Sequence, residues 1–376
     1  MTTVLLTGAT GMVGSQLLPE LLAKGCQVYC LVRNKNGLSA VERLPLGDYG
    51  KQVHILQGDV VENLCGLSSQ LIEAHCGKID KVVHSAALLK FDESFSPQVS
   101  MVNEAGTQNV INLAKVLGAK EFHYISTAYV AGKATEFTEQ DVGLPENARN
   151  PYERSKQRAE ELVRQWPGGH FSIYRLGIVI GSSKTGFTPA YDGYYGYLSA
   201  LWSLRSKLRQ HIGETVFNVY LHPSTTINLI PVDWVAQTLS SVITKPAMGQ
   251  AFHLTHPSPQ TLTWLGKVSF KTMGIPVNPS SKPVTIESHL SDDARQLQRI
   301  INRSLDRFGP YAVHEAKFCN RNLRQILGGS YAPPAPISEE LLNDKILSYA
   351  IEKNFGRLKG TSKKPQRLSQ YEIMVQ

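Results

Sequence analysis

Thr7-Gly8-Ala9-Thr10-Gly11-Met12-Val13-Gly14 follows the apolar run Val4-Leu5-Leu6, and its reading decides the fold. Three glycines spaced three apart, between a short strand and the start of a helix, suit a tight turn on which an anion sits. Gly8 permits the turn, Gly11 lets a phosphate approach the backbone, and Gly14 lets the helix pack on the strand. Thr10, Met12 and Val13 add backbone N–H groups at the helix N-terminus, where the dipole favours negative charge. A dinucleotide pyrophosphate fits there; a plain strand-to-helix join is the competing reading.

Beyond that turn, short β-branched runs alternate with longer helical patterns. Strands are predicted over Val4–Thr7, Gln27–Arg33, Val53–Gln57, Lys81–Ser85, Glu121–Ser126, Ser172–Val179 and Ala251–Leu254. Helices are predicted to begin near Gly11, Val99, Pro151 and Val232, with a bend at Pro19. This alternation predicts an α/β fold: a Rossmann-type, doubly wound parallel sheet. Residues 1–181 and about 229–270 are assigned to the nucleotide-binding domain, and about 182–228 and 271–330, where the rhythm breaks, to a smaller irregular substrate lobe. Residues 331–376 read as a Pro-rich linker, an amphipathic helix over 337–355 and a basic tail.

Composition agrees with a folded globular protein: of 376 residues, 42% are hydrophobic and only 19% charged, with 30 Gly and 20 Pro scattered along the chain. Cysteines at 26, 30, 65, 76 and 319 form no Cys-x-x-Cys pair, so reduced thiols and no metal are expected. No charged-then-apolar leader opens the chain and no stretch stays apolar for 18 residues, which predicts a cytoplasmic protein with no transmembrane segment. The net charge is +8, and residues 301–376 hold twelve basic and seven acidic side chains. Arg357, Lys359, Lys363, Lys364 and Arg367 read as a solvated basic tail; no nucleic-acid-binding motif accompanies them, so no nucleic-acid partner is expected.

The second strand ends Leu31-Val32-Arg33, where a carboxylate would hold the ribose hydroxyls of NAD. A guanidinium there suits a 2′-phosphate, so NADPH or NADP is favoured over NAD; a solvent-facing Arg33 is the alternative. In Gln57-Gly58-Asp59-Val60, Asp59 either accepts from the adenine amino group, beside Val60, or forms an Asx turn.

Asn150-Pro151-Tyr152-Glu153-Arg154-Ser155-Lys156 begins a helix, and Tyr152 and Lys156, four apart, share one face. A nearby ammonium stabilises a phenolate and lowers the tyrosine pKa, so that the phenol can exchange a proton during hydride transfer. With the glycine turn, His84-Ser85-Ala86-Ala87, Asn103-Glu104-Ala105-Gly106-Thr107, Ser126-Thr127-Ala128-Tyr129 and Tyr152…Lys156, the sequence resembles the extended short-chain dehydrogenase/reductase superfamily over residues 3–260. The resemblance implies Tyr152 as proton donor or acceptor, Lys156 on the nicotinamide ribose and tuning Tyr152, and Thr127 hydrogen-bonding the substrate oxygen. Ser126 is the fallback for Thr127. Ala86 and Ala87 would let the cofactor lie against the backbone, Asn103 resembles a helix residue that braces the site, and His84 reads as a satisfied strand-end histidine.

Phe91-Asp92-Glu93, Ser126–Tyr129, and Lys184–Thr188 with Asp192–Tyr197 resemble the acyl-reductase branch: fatty acyl-CoA reductases and thioester reductase domains, also called male-sterility-like. Arg175-Leu176-Gly177-Ile178 departs from the Arg-Pro start common in that branch, and the chain is shorter than those fatty acyl reductases with a further C-terminal domain, so a free-standing reductase is expected. The substrate is expected to be a small-molecule acyl or carbonyl compound, carrier-bound or free, and a homodimer is allowed. Tyr191, Tyr194, Tyr195 and Tyr197, among glycines, form either a mobile aromatic wall over an apolar substrate or a loop packed on the sheet; Tyr129, Tyr191 and Tyr194 are the candidate substrate-binding residues. The competing readings of the whole chain are a nucleotide-sugar epimerase or dehydratase with tightly held NAD, and a non-catalytic NADPH-binding protein.

Overall fold

A computed structural model describes residues 1–44, 51–210, 217–284 and 291–355. Seven strands form one sheet, in the spatial order Gln250–Leu254, His170–Leu176, Glu121–Thr127, Lys81–His84, Thr3–Thr7, Gln27–Val32 and Val53–Gln57. Every neighbouring pair is parallel, with Val4 opposite both Val28 and Lys81, and Thr127 opposite Leu176. Both faces are covered, which is why runs such as Val4-Leu5-Leu6 are fully buried rather than alternating. One core holds Leu17, Leu21, Val28, Leu239 and Phe252; the other holds Leu5, Val82, Val110, Phe122 and Val163. The order reverses beside Thr3–Thr7, whose neighbours are the second and fourth strands. Ligands of open parallel sheets sit in the crevice at such a point.

The strand expected over Ser172–Val179 is two. His170–Leu176 lies in the large sheet; after Gly177, Ile178–Ile180 pairs with Leu229–Pro231 in a separate ribbon. Gly177 N donates to Leu254 O while Ile178 N donates to Asn228 O, so the chain changes partners at that residue. A Cβ at 177 would lie 2.7 Å from the Asn228 carbonyl, which accounts for the glycine. The first helix begins at Gly14 rather than near Gly11 and continues through Pro19 to Ala23. The helix expected near Val99 begins at Ser96, whereas those at Pro151 and Val232 begin where expected.

A third core organises the second lobe around Leu198, Leu201, Phe217, Leu265, Phe270 and Ile301. Its segments are more regular than expected. Tyr194–Gln210 is a 17-residue helix, and Asp292–Leu305 is a 14-residue helix capped by Ser291 and burying Ala294, Leu297, Ile301 and Leu305. Leu262–Met273 buries Leu265, Val268 and Phe270 in this core, whereas Leu323 and Leu327, within the span assigned to the substrate lobe, pack with the sheet. The C-terminal helix is π-type over Leu341–Leu347 and α over Ser348–Lys353, and it buries Leu342, Ile346 and Ala350 in the second lobe. The linker before it is pinned where Trp234 Nε1 donates to Ala332 O. The basic tail, 356–376, lies outside the described residues. No helix among the described residues is long and apolar enough to cross a membrane.

Gly14 generates a stability prediction. A Cβ there would lie 2.3 Å from Gly8 O, so Gly14→Ala forces helix and turn apart. Thermal unfolding of the variant should show a loss of roughly 1–3 kcal/mol; an unchanged Tm would show that the turn relaxes freely.

Candidate active site

The crevice starts where Gly8 leaves the first strand with φ +73°, and a Cβ there would stand 2.7 Å from Ala86 N and from the Ser85 carbonyl carbon. Only glycine allows both the left-handed backbone and that approach. Thr7 Oγ1 ties the strand ends together by accepting from the N–H groups of Ser85 and Ala86, at 3.2 and 3.1 Å. A cavity of about 850 Å³ opens here, with Gly8, Thr10, Gly11, Met12 and Val13 on one wall and Ala86 and Ala87 on the other. Gly11 N donates to Gly8 O at 2.9 Å, closing the turn. Gly14 does not line the cavity and packs on Gly8 instead.

Arg33 lines the same cavity and pairs with Asp59 at 3.1 Å. Asp59 Oδ1 also accepts from Val61 N, so the Asx turn forms and the carboxylate faces the guanidinium; Val60 lines the cavity beside it. Two further cations reach the same rim: Lys35, and Arg43, which donates to Arg33 O and to Thr10 Oγ1. Neither stands out in the sequence as a site residue, although Ser39 and Glu42 form the capping box that opens Arg43's short helix and is legible as such. Arg33, paired with Asp59, together with Lys35 and Arg43 gathers positive charge at this rim beside the glycine turn.

Farther along the cavity lie Thr127, Tyr152 and Lys156. Asn150 caps the helix that carries Tyr152 and Lys156 by accepting from Glu153 N at 3.0 Å. Tyr152 and Lys156 both face the cavity, and no hydrogen bond joins them. Lys156 Nζ donates instead to Ile125 O at 2.8 Å and Tyr124 Oη at 3.1 Å. Burial pulls Lys156 down to about 7, with Glu160 opposing. Tyr152 moves opposite to the sequence-based expectation: burial, then the Glu153 charge, raise its phenol above the usual range. Its hydroxyl has no hydrogen-bond partner among the described residues.

Thr127 Oγ1 accepts from Tyr129 N and donates to Leu176 O over a long 3.3 Å. Ser126 also lines the cavity, but its hydroxyl donates to Glu160 at 2.7 Å, and Glu160 is held by the fully buried Arg175. Thr127 is therefore the hydroxyl free to change partner. Asn103 accepts from Leu88 N and donates to Leu88 O and Ser155 Oγ, bracing the loop after the fourth strand against the Tyr152 helix. His84 is held between Thr7 and Thr107, and burial lowers it to about 3, so it stays neutral.

The model of the male sterility protein family, an NAD-binding family, matches residues 6–239. The chain belongs to that family. It is thereby an extended short-chain dehydrogenase/reductase. A linear gramicidin synthase polypeptide of Brevibacillus parabrevis is 28% identical over 277 residues, 68% of this chain and 5% of the relative. The aldehyde reductase lnbA of Aspergillus flavus is 26% identical over 279 residues, again 68% of this chain and 26% of the relative. The chain thus spans a small part of those relatives' length. The terminal R domain of the myxalamid PKS-NRPS pathway shares the fold with a TM-score of 0.75 at 24% identity, covering 94% of this chain and 92% of that one.

In this male-sterility-family chain the aromatic wall is a helix rather than a mobile loop. Tyr194, Tyr195 and Tyr197 line the cavity from the first turn of Tyr194–Gln210. Tyr191 does not; it packs on Tyr195 and Phe355. Tyr129 lines the cavity with its hydroxyl committed to Glu315 at 2.6 Å. Phe91, Phe308 and Tyr311 complete the wall, with Phe91 edge-on to Tyr152 at 6.1 Å. Phe308 and Tyr311 carry no sequence signal, because they reach the site through the second lobe from a part of the chain far beyond the Tyr152 helix.

Lys156 also generates a pH prediction. Its folded pKa of about 7 lies below the unfolded value near 10.5, so between these pH values the unfolded chain binds the extra proton and stability rises with pH. Wild type should therefore gain stability relative to Lys156→Met from about pH 7 to pH 10 in urea unfolding. A pH-independent difference would show that the ammonium is not desolvated.

Proposed function

We propose that the chain is an NADPH-dependent reductase that transfers hydride to the carbonyl of an acyl thioester, or of an aldehyde or ketone, at a Thr127–Tyr152–Lys156 site. The observation that carries this reading is one continuous cavity, with the glycine turn and Arg33, Lys35 and Arg43 at one end, the three polar residues midway, and apolar side chains of the second lobe beyond. Such an arrangement suits a dinucleotide lying along the crevice and a carbonyl group entering from the second lobe.

When bound, the reduced nicotinamide supplies the hydride. The chain's residues handle oxygen and protons. Thr127 exchanges its long bond to Leu176 O for the substrate oxygen, which steadies negative charge as it develops. Tyr152, kept protonated by its raised pKa, donates its proton to that oxygen. The Lys156 ammonium then faces a phenolate rather than a phenol. For a thioester, hydride addition at the carbonyl carbon and protonation of the oxygen give a hemithioacetal, which collapses to aldehyde and free thiol. Relatives that include a linear gramicidin synthase and an aldehyde reductase support this class over the epimerase reading. The three cations at the rim support NADPH over NAD.

Two measurements test the reading. With a panel of thioesters and aldehydes, Tyr152→Phe should lower kcat by about 10²- to 10⁴-fold while the NADPH Kd stays within about twofold; retained turnover would remove Tyr152 as proton donor. The Arg33→Ala/Arg43→Ala double variant should raise KM for NADPH by roughly 10- to 100-fold and leave NADH nearly unchanged. An equal effect on both cofactors would refute recognition of a 2′-phosphate.

A further inference from the structure

Tyr124 lies outside the cavity, three residues before Thr127 on the strand Glu121–Thr127, and is fully buried. Lys156 Nζ donates to its hydroxyl at 3.1 Å and sits 4.5 Å from its ring centroid. The second donor hydrogen goes to Ile125 O. An ammonium has three N–H donors, so this pair of acceptors leaves one, and Lys156 lines the cavity.

The neighbours of Tyr124 settle the direction of each hydrogen bond behind it. Thr107 Oγ1 donates to Asn103 O at 2.6 Å, so towards His84 Nε2, 3.0 Å away, it can only accept. Neutral His84 therefore carries its proton on Nε2, and Nδ1 accepts from Thr7 Oγ1 at 2.7 Å. Thr7 in turn accepts from Ser85 and Ala86. Thr107 is also the hydrogen-bonding side chain beside the Tyr124 hydroxyl. Because an ammonium can only donate, Tyr124 presents a lone pair to Lys156 and its own proton points elsewhere.

From this arrangement we infer that Tyr124 is a positioning residue: it presents a fixed acceptor that aims the remaining N–H of Lys156 into the cavity. The inference rests on the proposed role of Lys156 for its catalytic consequence, but not for its structural content. Fixing a flexible four-carbon side chain from behind removes rotamers that would otherwise be lost on each binding event.

The test uses the full chain with Tyr124→Phe, which keeps the ring and deletes the acceptor. The groups facing the Lys156 ammonium are Tyr124 from the strand, His84 from the neighbouring strand, and Tyr152 and Glu160 from its own helix; Glu160 is already paired with Arg175. Losing an acceptor for the charged form moves the Lys156 titration to lower pH. The pH at which stability begins to rise, read against Lys156→Met in the same background, should therefore fall below its wild-type position. Alongside it, kcat should drop about tenfold or more and its alkaline limb should move to lower pH, with KM for NADPH changing less. Thr107→Val, which removes the hydroxyl beside Tyr124, should move the same stability curve in the same direction by a smaller step and serves if Tyr124→Phe does not fold. An unmoved stability curve in the folded variants overturns the inference. A moved curve in a chain whose wild type turns over no thioester or aldehyde would leave the positioning role standing and sink the reductase reading alone.

Discussion

The approach of Gly8 to the Ser85–Ala86 peptide is the constraint on which the rest of the site depends. It exists because the sheet reverses its strand order there, so that the ends of the first and fourth strands lie side by side with no helix between them. Thr7 fastens the two ends, and Gly14 settles its helix onto the turn. Widening any of these contacts by a methyl group would move the anion-binding N–H groups relative to Thr127 and Lys156, which sit on elements built off the same sheet. A displacement of about 1 Å at such a site is costly to catalysis.

Charge is buried unusually heavily around the Tyr152 helix. Glu160 is shared by Arg175 and Ser126, Glu153 is held by Arg149 and Tyr311, and Lys156 has acceptors but no direct carboxylate. Replacing such pairs with apolar groups is often neutral or better for stability, so stability alone does not account for them. Their common effect is geometric. Each fixes a side chain that abuts the cavity or the residue next to one that does, and each loses several kcal/mol if one partner is removed. Glu153 has a second effect, because its charge keeps the Tyr152 proton on the phenol.

Much of this is legible in the sequence because parallel strands are buried on both faces and announce themselves as continuous apolar runs. The glycine turn, the seven strands and the start of the helix at Pro151 all follow from local sequence, and Thr127, Tyr152 and Lys156 do reach one cavity. What stays hidden depends on partners distant in the chain. The break at Gly177 is set by Asn228, and Tyr311 and Phe308 reach Phe91 only through the second lobe. The Tyr152 shift runs against the sequence reading for a related reason: helical spacing brings an ammonium onto the right face but says nothing of the burial and the Glu153 charge that raise the phenol. The helix Asp292–Leu305 is a different case, since Ser291 with Asp292 and Asp293 is a readable start signal that the surrounding prolines and polar turns obscure.

The seam between the Tyr152 helix and the second lobe bears on how a substrate enters. Arg149 donates to His314 O, Asn150 to Tyr311 Oη, Tyr311 to Glu153, and Tyr129 to Glu315, which also accepts from Thr226 and Asn228 N. Burial raises the Glu315 pKa against these hydrogen bonds, so parting the seam without admitting water would leave a buried acid without its donors. The segment 311–315 is thereby fastened to the Tyr152 helix. The wall at the start of the Tyr194 helix is also held by hydrogen bonds, Tyr195 Oη accepting from Gly181 N and Tyr194 Oη pairing with Ser269 Oγ, so polar contacts as well as apolar packing fix the far end of the cavity.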